Sequence, residues 1–104
     1  MNKYLPNLPQ PGEGLELLTS LAKETVSLVF LDPQYEKVSQ VLKLDYPLHY
    51  QTDFQIGQIL KEIERVLKPS GFGLLWVNKE ILRTDRVLNW LLQAPNLKIV
   101  DLLV

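Results

Sequence analysis

Val26-Ser27-Leu28-Val29-Phe30-Leu31-Asp32-Pro33-Gln34-Tyr35 decides the fold of this chain. Its first six residues are almost continuously apolar and rich in strand-favouring side chains. Such a run predicts a strand covered on both faces, as in a parallel sheet with helices on either side. Asp32-Pro33 ends it, because proline fixes φ and has no amide hydrogen to donate. An acid, a rigid turn, an amide side chain and an aromatic ring are thus delivered at a strand's C-terminal end. In open α/β sheets ligands bind at that edge.

Working outward, Leu15 to Ala22 has the apolar spacing of a short helix, and Lys23-Glu24-Thr25 is a polar turn into the strand. Residues 1–14 carry Pro6, Pro9, Pro11, Gly12 and Gly14 and read as an extended lead-in. From Tyr35 to Tyr50 periodicity is weak, which predicts a long loop with a turn of helix around 37–42. Loops longer than about 12–15 residues are usually functional or disordered. Thr52 and Gln55 have the spacing of a capping box. Behind them Ile56, Leu60, Ile63 and Leu67 share one face of the clearest helix in the chain. Lys68-Pro69-Ser70-Gly71 is expected to stop it. Gly73 to Val77 reads as a second buried strand. Thr84 or Asp85 can cap a further helix to about Gln93, and Ile99 to Val104 reads as a third strand. Strands alternating with helices predict one α/β domain over residues 1–104: a partial Rossmann-like parallel sheet of about three strands with flanking helices.

The totals restrict function. With a net charge of −1 the chain has no overall basic signature for nucleic acid. It has no cysteine, which removes disulfides, thiol nucleophiles and thiolate zinc sites. Its single histidine, His49, has no second ligand at metal spacing, so no metal is expected. No apolar stretch reaches the roughly 18 residues of a membrane span, and residues 1–14 lack a signal-peptide core. A soluble, cytoplasmic protein is the expectation.

The run ending in Asp32-Pro33-Gln34-Tyr35 resembles motif IV, Asp-Pro-Pro-Tyr, of the amino-methyltransferases that alkylate adenine N6 or cytosine N4 in DNA. The resemblance extends over roughly Gly12 to Asn78. It takes in the helix and turn before the strand, and Ile63-Glu64-Arg65-Val66-Leu67-Lys68-Pro69-Ser70-Gly71 with the strand after it. It implies a methyltransferase-type fold, S-adenosylmethionine as cofactor, DNA as partner and a restriction–modification setting. Asp32 would accept a hydrogen bond from the exocyclic amine, the Pro33–Gln34 backbone would aim carbonyls at it, and Tyr35 would stack on a flipped base. Asp in the first position leans to adenine.

Two departures from the family stand out. Gln34 replaces the second proline, and the Phe-x-Gly-x-Gly cofactor loop is absent; Gly71-Phe72-Gly73 falls in a helix-to-strand turn. Too few residues precede the first helix for a cofactor unit, which resembles the β-group order with the catalytic half first. The expectation is the N-terminal catalytic half of a longer enzyme, inactive alone, with a missing C-terminal half or self-association to complete it. The alternative is a truncated, non-catalytic module that acts by protein association. His49 is read as a loop residue rather than a base. Tyr46 and Tyr50 either line a base pocket or close a core edge, and Trp76 is read as core. Asn78 and Lys79 lie at the ligand edge, read either as a solvated turn or as residues that reach a nucleotide. Lys37, Lys43 and Lys79 form either a modest phosphate-facing patch or ordinary surface charge.

Overall fold

The computed structural model describes residues 5–34 and 51–103. Helix α1, Gly14–Ser20, starts where the Glu13 carboxylate accepts hydrogen bonds from the amides of Leu15 and Glu16, at 3.3 and 2.9 Å. Strand β1 spans Val26–Leu31. Helix α2, Asp53–Val66, begins on the expected capping box: the Gln55 amide donates to Thr52 Oγ1, and the Thr52 amide donates to Gln55 Oε1. Strand β2 follows at once as Leu67–Leu75. Two short helices complete the order, α3 at Lys79–Leu82 and α4 at Arg86–Leu91.

β1 and β2 pair in parallel as a two-stranded sheet, with Leu28 opposite Phe72, Phe30 opposite Leu74 and Leu31 opposite Leu75. The α/β class and the parallel sheet with flanking helices agree with expectation. The core lies between α2 and one sheet face. Ile56, Ile59, Leu60 and Ile63 of α2 are buried with Leu67, Ile81, Trp90 and Ala94. Val29 and Leu31 of β1 and Leu75 and Val77 pack against them. Burying each large aliphatic side chain contributes about 1.5–3 kcal/mol, so this layer dominates the stability of the chain.

Hydrogen bonds tie the helices to the sheet. The amides of Glu24 and Thr25 donate to the last carbonyls of α2, Arg65 O at 3.0 Å and Val66 O at 2.8 Å. Those carbonyls have no partner within a helix, so the turn into β1 satisfies them. Arg65 Nη2 donates to Leu18 O at 2.8 Å across to α1, while its Nε pairs with Glu62. At the other end of α2, Asp53 Oδ1 accepts from Trp90 Nε1 at 2.8 Å and from Arg86 Nη2 and Nε at 2.9 and 3.1 Å. Partial burial raises the Asp53 pKa, but the bonds from Trp90 and Arg86 and the guanidinium charge outweigh it. The carboxyl therefore stays below its ordinary value.

Several expectations are corrected. The second sheet face is open: Leu28, Phe30, Phe72 and Leu74 are all exposed, Phe30 at 62 %. A continuous apolar run records what a strand would pack against, and among the described residues only one side has a partner layer. Trp76, expected in the core, is exposed at 66 %. Among the described residues Ile99 to Leu103 forms no strand, and Val100 is 79 % exposed. A strand needs a paired edge, and Asp101 instead turns its carboxylate to the Leu102 amide. α2 ends just before Lys68, as expected, but Lys68–Gly71 continues as part of β2 rather than as a turn, and there the register shifts between Val26/Leu67 and Leu28/Phe72. A Cβ at Gly71 would sit 3.0 Å from Ser27 O and 3.1 Å from Lys68 O, close enough that a neighbour would have to shift by a few tenths of an ångström.

Candidate functional site at the strand ends

Because β1 and β2 run parallel, their C-terminal ends share one edge. Asp32, Pro33 and Gln34 leave β1 there, and Trp76, Val77 and Asn78 leave β2. The Trp76 amide donates to Leu31 O at 2.9 Å, which carries the ladder one residue beyond β2. Asp32 is exposed, Pro33 is buried and Gln34 is exposed. The proline thus anchors the turn in the core and leaves the acid in solvent, as its chemistry requires. The Gln34 carbonyl accepts from the Gln51 amide at 2.6 Å, which pins the turn to the residue just before α2. One lone pair of that carbonyl is therefore engaged by the backbone.

Tyr35 lies outside the described residues, as do Lys37, Lys43, Tyr46, His49, Tyr50 and the turn of helix expected at 37–42. Asn78 is not a bare solvated turn: its Oδ1 accepts from the Ile81 amide at 2.9 Å and caps α3. Lys79 is exposed at the first position of that helix. The residue missed by sequence reasoning is Trp76, which stands at the same edge as Asp32. Its signal was parity, since Leu75 and Val77 are the inward residues and Trp76 falls between them.

Gly71-Phe72-Gly73 lies within β2 with Phe72 and Gly73 in register with Leu28 and Val29. It is sheet, not a phosphate- or nucleoside-cradling loop, so this segment does not fit a cofactor site. Among the described residues, no group of three His, Cys, Asp or Glu side chains gathers as a metal site. A shallow hollow bordered by Leu8, Gln10, Glu13 and Leu17 shares no residue with the Asp32 edge. No described helix is long and apolar enough to cross a membrane.

An exposed acid on a buried proline, at the end of a parallel strand, can accept a hydrogen bond from an amino group presented in the plane of the turn. The chain is 35 % identical over 102 residues to the Type II methyltransferase M.HhaII of Haemophilus parahaemolyticus, covering 86 % of this chain and 43 % of the relative. This match supports a place for the chain among the DNA methyltransferases. The chain spans less than half the length of that relative. No family model matches, and no solved structure does.

Proposed function

We propose that residues 1–104 form the catalytic half of an S-adenosylmethionine-dependent DNA methyltransferase acting on adenine N6. The observation that carries the reading is the exposed Asp32 carboxylate held at the strand end by buried Pro33. The relative named above supports the reaction class. The proposed motif is Asp32, Pro33, Gln34 and Tyr35, with Tyr35 as the stacking ring. The proposed setting is a cytoplasmic restriction–modification enzyme.

An exocyclic amine on a purine is a weak nucleophile, because its lone pair is delocalised into the ring. Asp32 accepts a hydrogen bond from one N–H and draws the nitrogen towards a tetrahedral shape, which localises that lone pair. The Pro33–Gln34 turn keeps the acid from swinging, and the Gln51 amide holds the turn in place. S-adenosylmethionine supplies the methyl group in this reading. The open face of Leu28, Phe30, Phe72 and Leu74 supports a second polypeptide layer, either a remaining half or another copy.

The test is methyl transfer from labelled S-adenosylmethionine to duplex DNA by the complete polypeptide that carries this chain, with nucleoside mass spectrometry to identify the product. Asp32→Ala abolishes transfer and leaves DNA binding intact. Transfer that survives the substitution removes Asp32 from the mechanism, and N4-methylcytosine as product removes the adenine assignment.

A further inference from the structure

The two strands alternate in step. On β1 and its extension, Val29, Leu31 and Pro33 face the core, while Leu28, Phe30 and Asp32 do not. On β2 and its extension, Leu75 and Val77 face the core, while Phe72, Leu74 and Trp76 do not. Side chains two residues apart on a strand share a face. The register sets Leu28 beside Phe72 and Phe30 beside Leu74, and the bond from the Trp76 amide to Leu31 O continues it to the next pair. Asp32 and Trp76 are therefore lateral neighbours on the open face, on strands about 4.8 Å apart.

We propose that Trp76 is a base-positioning residue: its indole, beside the Asp32 carboxylate, supports a planar heterocycle while the carboxylate takes that heterocycle's amino group. This rests on the reading of Asp32 given above and adds a second ring to it. The chemistry at this end of the face differs from the rest. A purely apolar cover suits Leu28 and Phe72, but extended over Asp32 it would strip water from a carboxylate and give nothing back. An occupant that satisfies both groups has an aromatic face and an N–H donor in the same plane. An aminated nucleobase has both, and stacking accepts any base because every base has a π-face. Selectivity then comes from the amine at Asp32, while the indole fixes the plane in which that amine lies.

Fluorescence separates the two tryptophans, because Trp90 is 1 % exposed and Trp76 is open to solvent. The 104-residue chain is titrated with a single-stranded oligo-deoxyadenylate of roughly 12 nucleotides and with an abasic strand of equal length. Deoxyadenylate quenches the Trp76 emission of the unmodified chain, and the abasic strand does not. By anisotropy of labelled strands, Trp76→Ala weakens deoxyadenylate binding about tenfold, and Trp76→Phe, which keeps a stacking face, recovers most of it. The abasic strand binds all three chains alike. Absence of quenching, unchanged affinity in Trp76→Ala, or an equal loss on both strands overturns the proposal. If Trp76→Ala behaves as expected while the complete polypeptide carrying Asp32→Ala still transfers methyl groups, the stacking role stands and the role assigned to Asp32 fails.

Discussion

Asp53→Ala should loosen the contact between α2 and α4 by an amount the geometry bounds. Three hydrogen bonds converge on Asp53 Oδ1. The one from Trp90 Nε1, at 2.8 Å, faces the core and is made to a charged acceptor, a class of bond that contributes about 1.5–3 kcal/mol. The Arg86 pair lies nearer solvent and adds at most about 1 kcal/mol. Together they give a loss of about 2–3 kcal/mol, which for a domain of this size lowers Tm by about 10–20 °C. Asp53→Asn keeps an acceptor and loses the charge, so it should cost about 1 kcal/mol. Asp53 also stands in the first turn of α2, where a negative charge contributes about 0.3–1 kcal/mol by itself. A double-mutant cycle with Trp90→Phe removes that contribution and should leave a coupling of about 1 kcal/mol or more in urea denaturation. The pH dependence has a fixed sign. The folded pKa is lowered, so this stabilisation is present above the ordinary carboxylate value near about 3.9 and is lost as pH falls through the lowered one. The Asp53→Asn protein should show a flatter stability profile in that acid window. If Asp53→Ala melts within about 0.5 kcal/mol of the parent, or the cycle returns no coupling, the clasp is only a surface arrangement.

Arg65→Met keeps the aliphatic stem and removes the bond to Leu18 O, so it should cost about 1 kcal/mol and make α1 more sensitive to protease than α2. An unchanged urea midpoint would place Arg65 outside the packing of α1. Gly71→Ala forces a methyl group against Ser27 O and Lys68 O and should cost about 1–3 kcal/mol by thermal denaturation. A neutral result would mean that the irregular stretch of β2 yields without resistance.

What was legible in the sequence was local. Thr52 and Gln55 announce the start of α2 because a capping box needs only residues three apart, and the apolar stripe behind them specifies which face is buried. Asp32-Pro33 likewise reads as an exposed acid on an anchored turn, because charge and ring closure act within two residues. The misreadings concern pairing between distant segments. Leu28, Phe30 and Trp76 are as apolar as core residues, and nothing local records whether a second layer covers them. Ile99 to Leu103 has strand composition but no edge to join among the described residues. Asn78 was readable as a helix cap from the short apolar turn that follows it, but its place after a strand made a loop the simpler expectation.

Leu67 is both the C-cap of α2 and the first residue of β2, so helix and strand meet with no linker between them. A residue inserted into α2 would rotate everything after it and send Leu75 and Val77 out of the oil-filled side. Between Leu67 and Phe72, however, the ladder already carries slack against Val26 and Leu28. That irregular stretch, Lys68–Gly71, lies upstream of the last rungs, so the tips of both strands keep the regular alignment of Phe30 with Leu74 and Leu31 with Leu75.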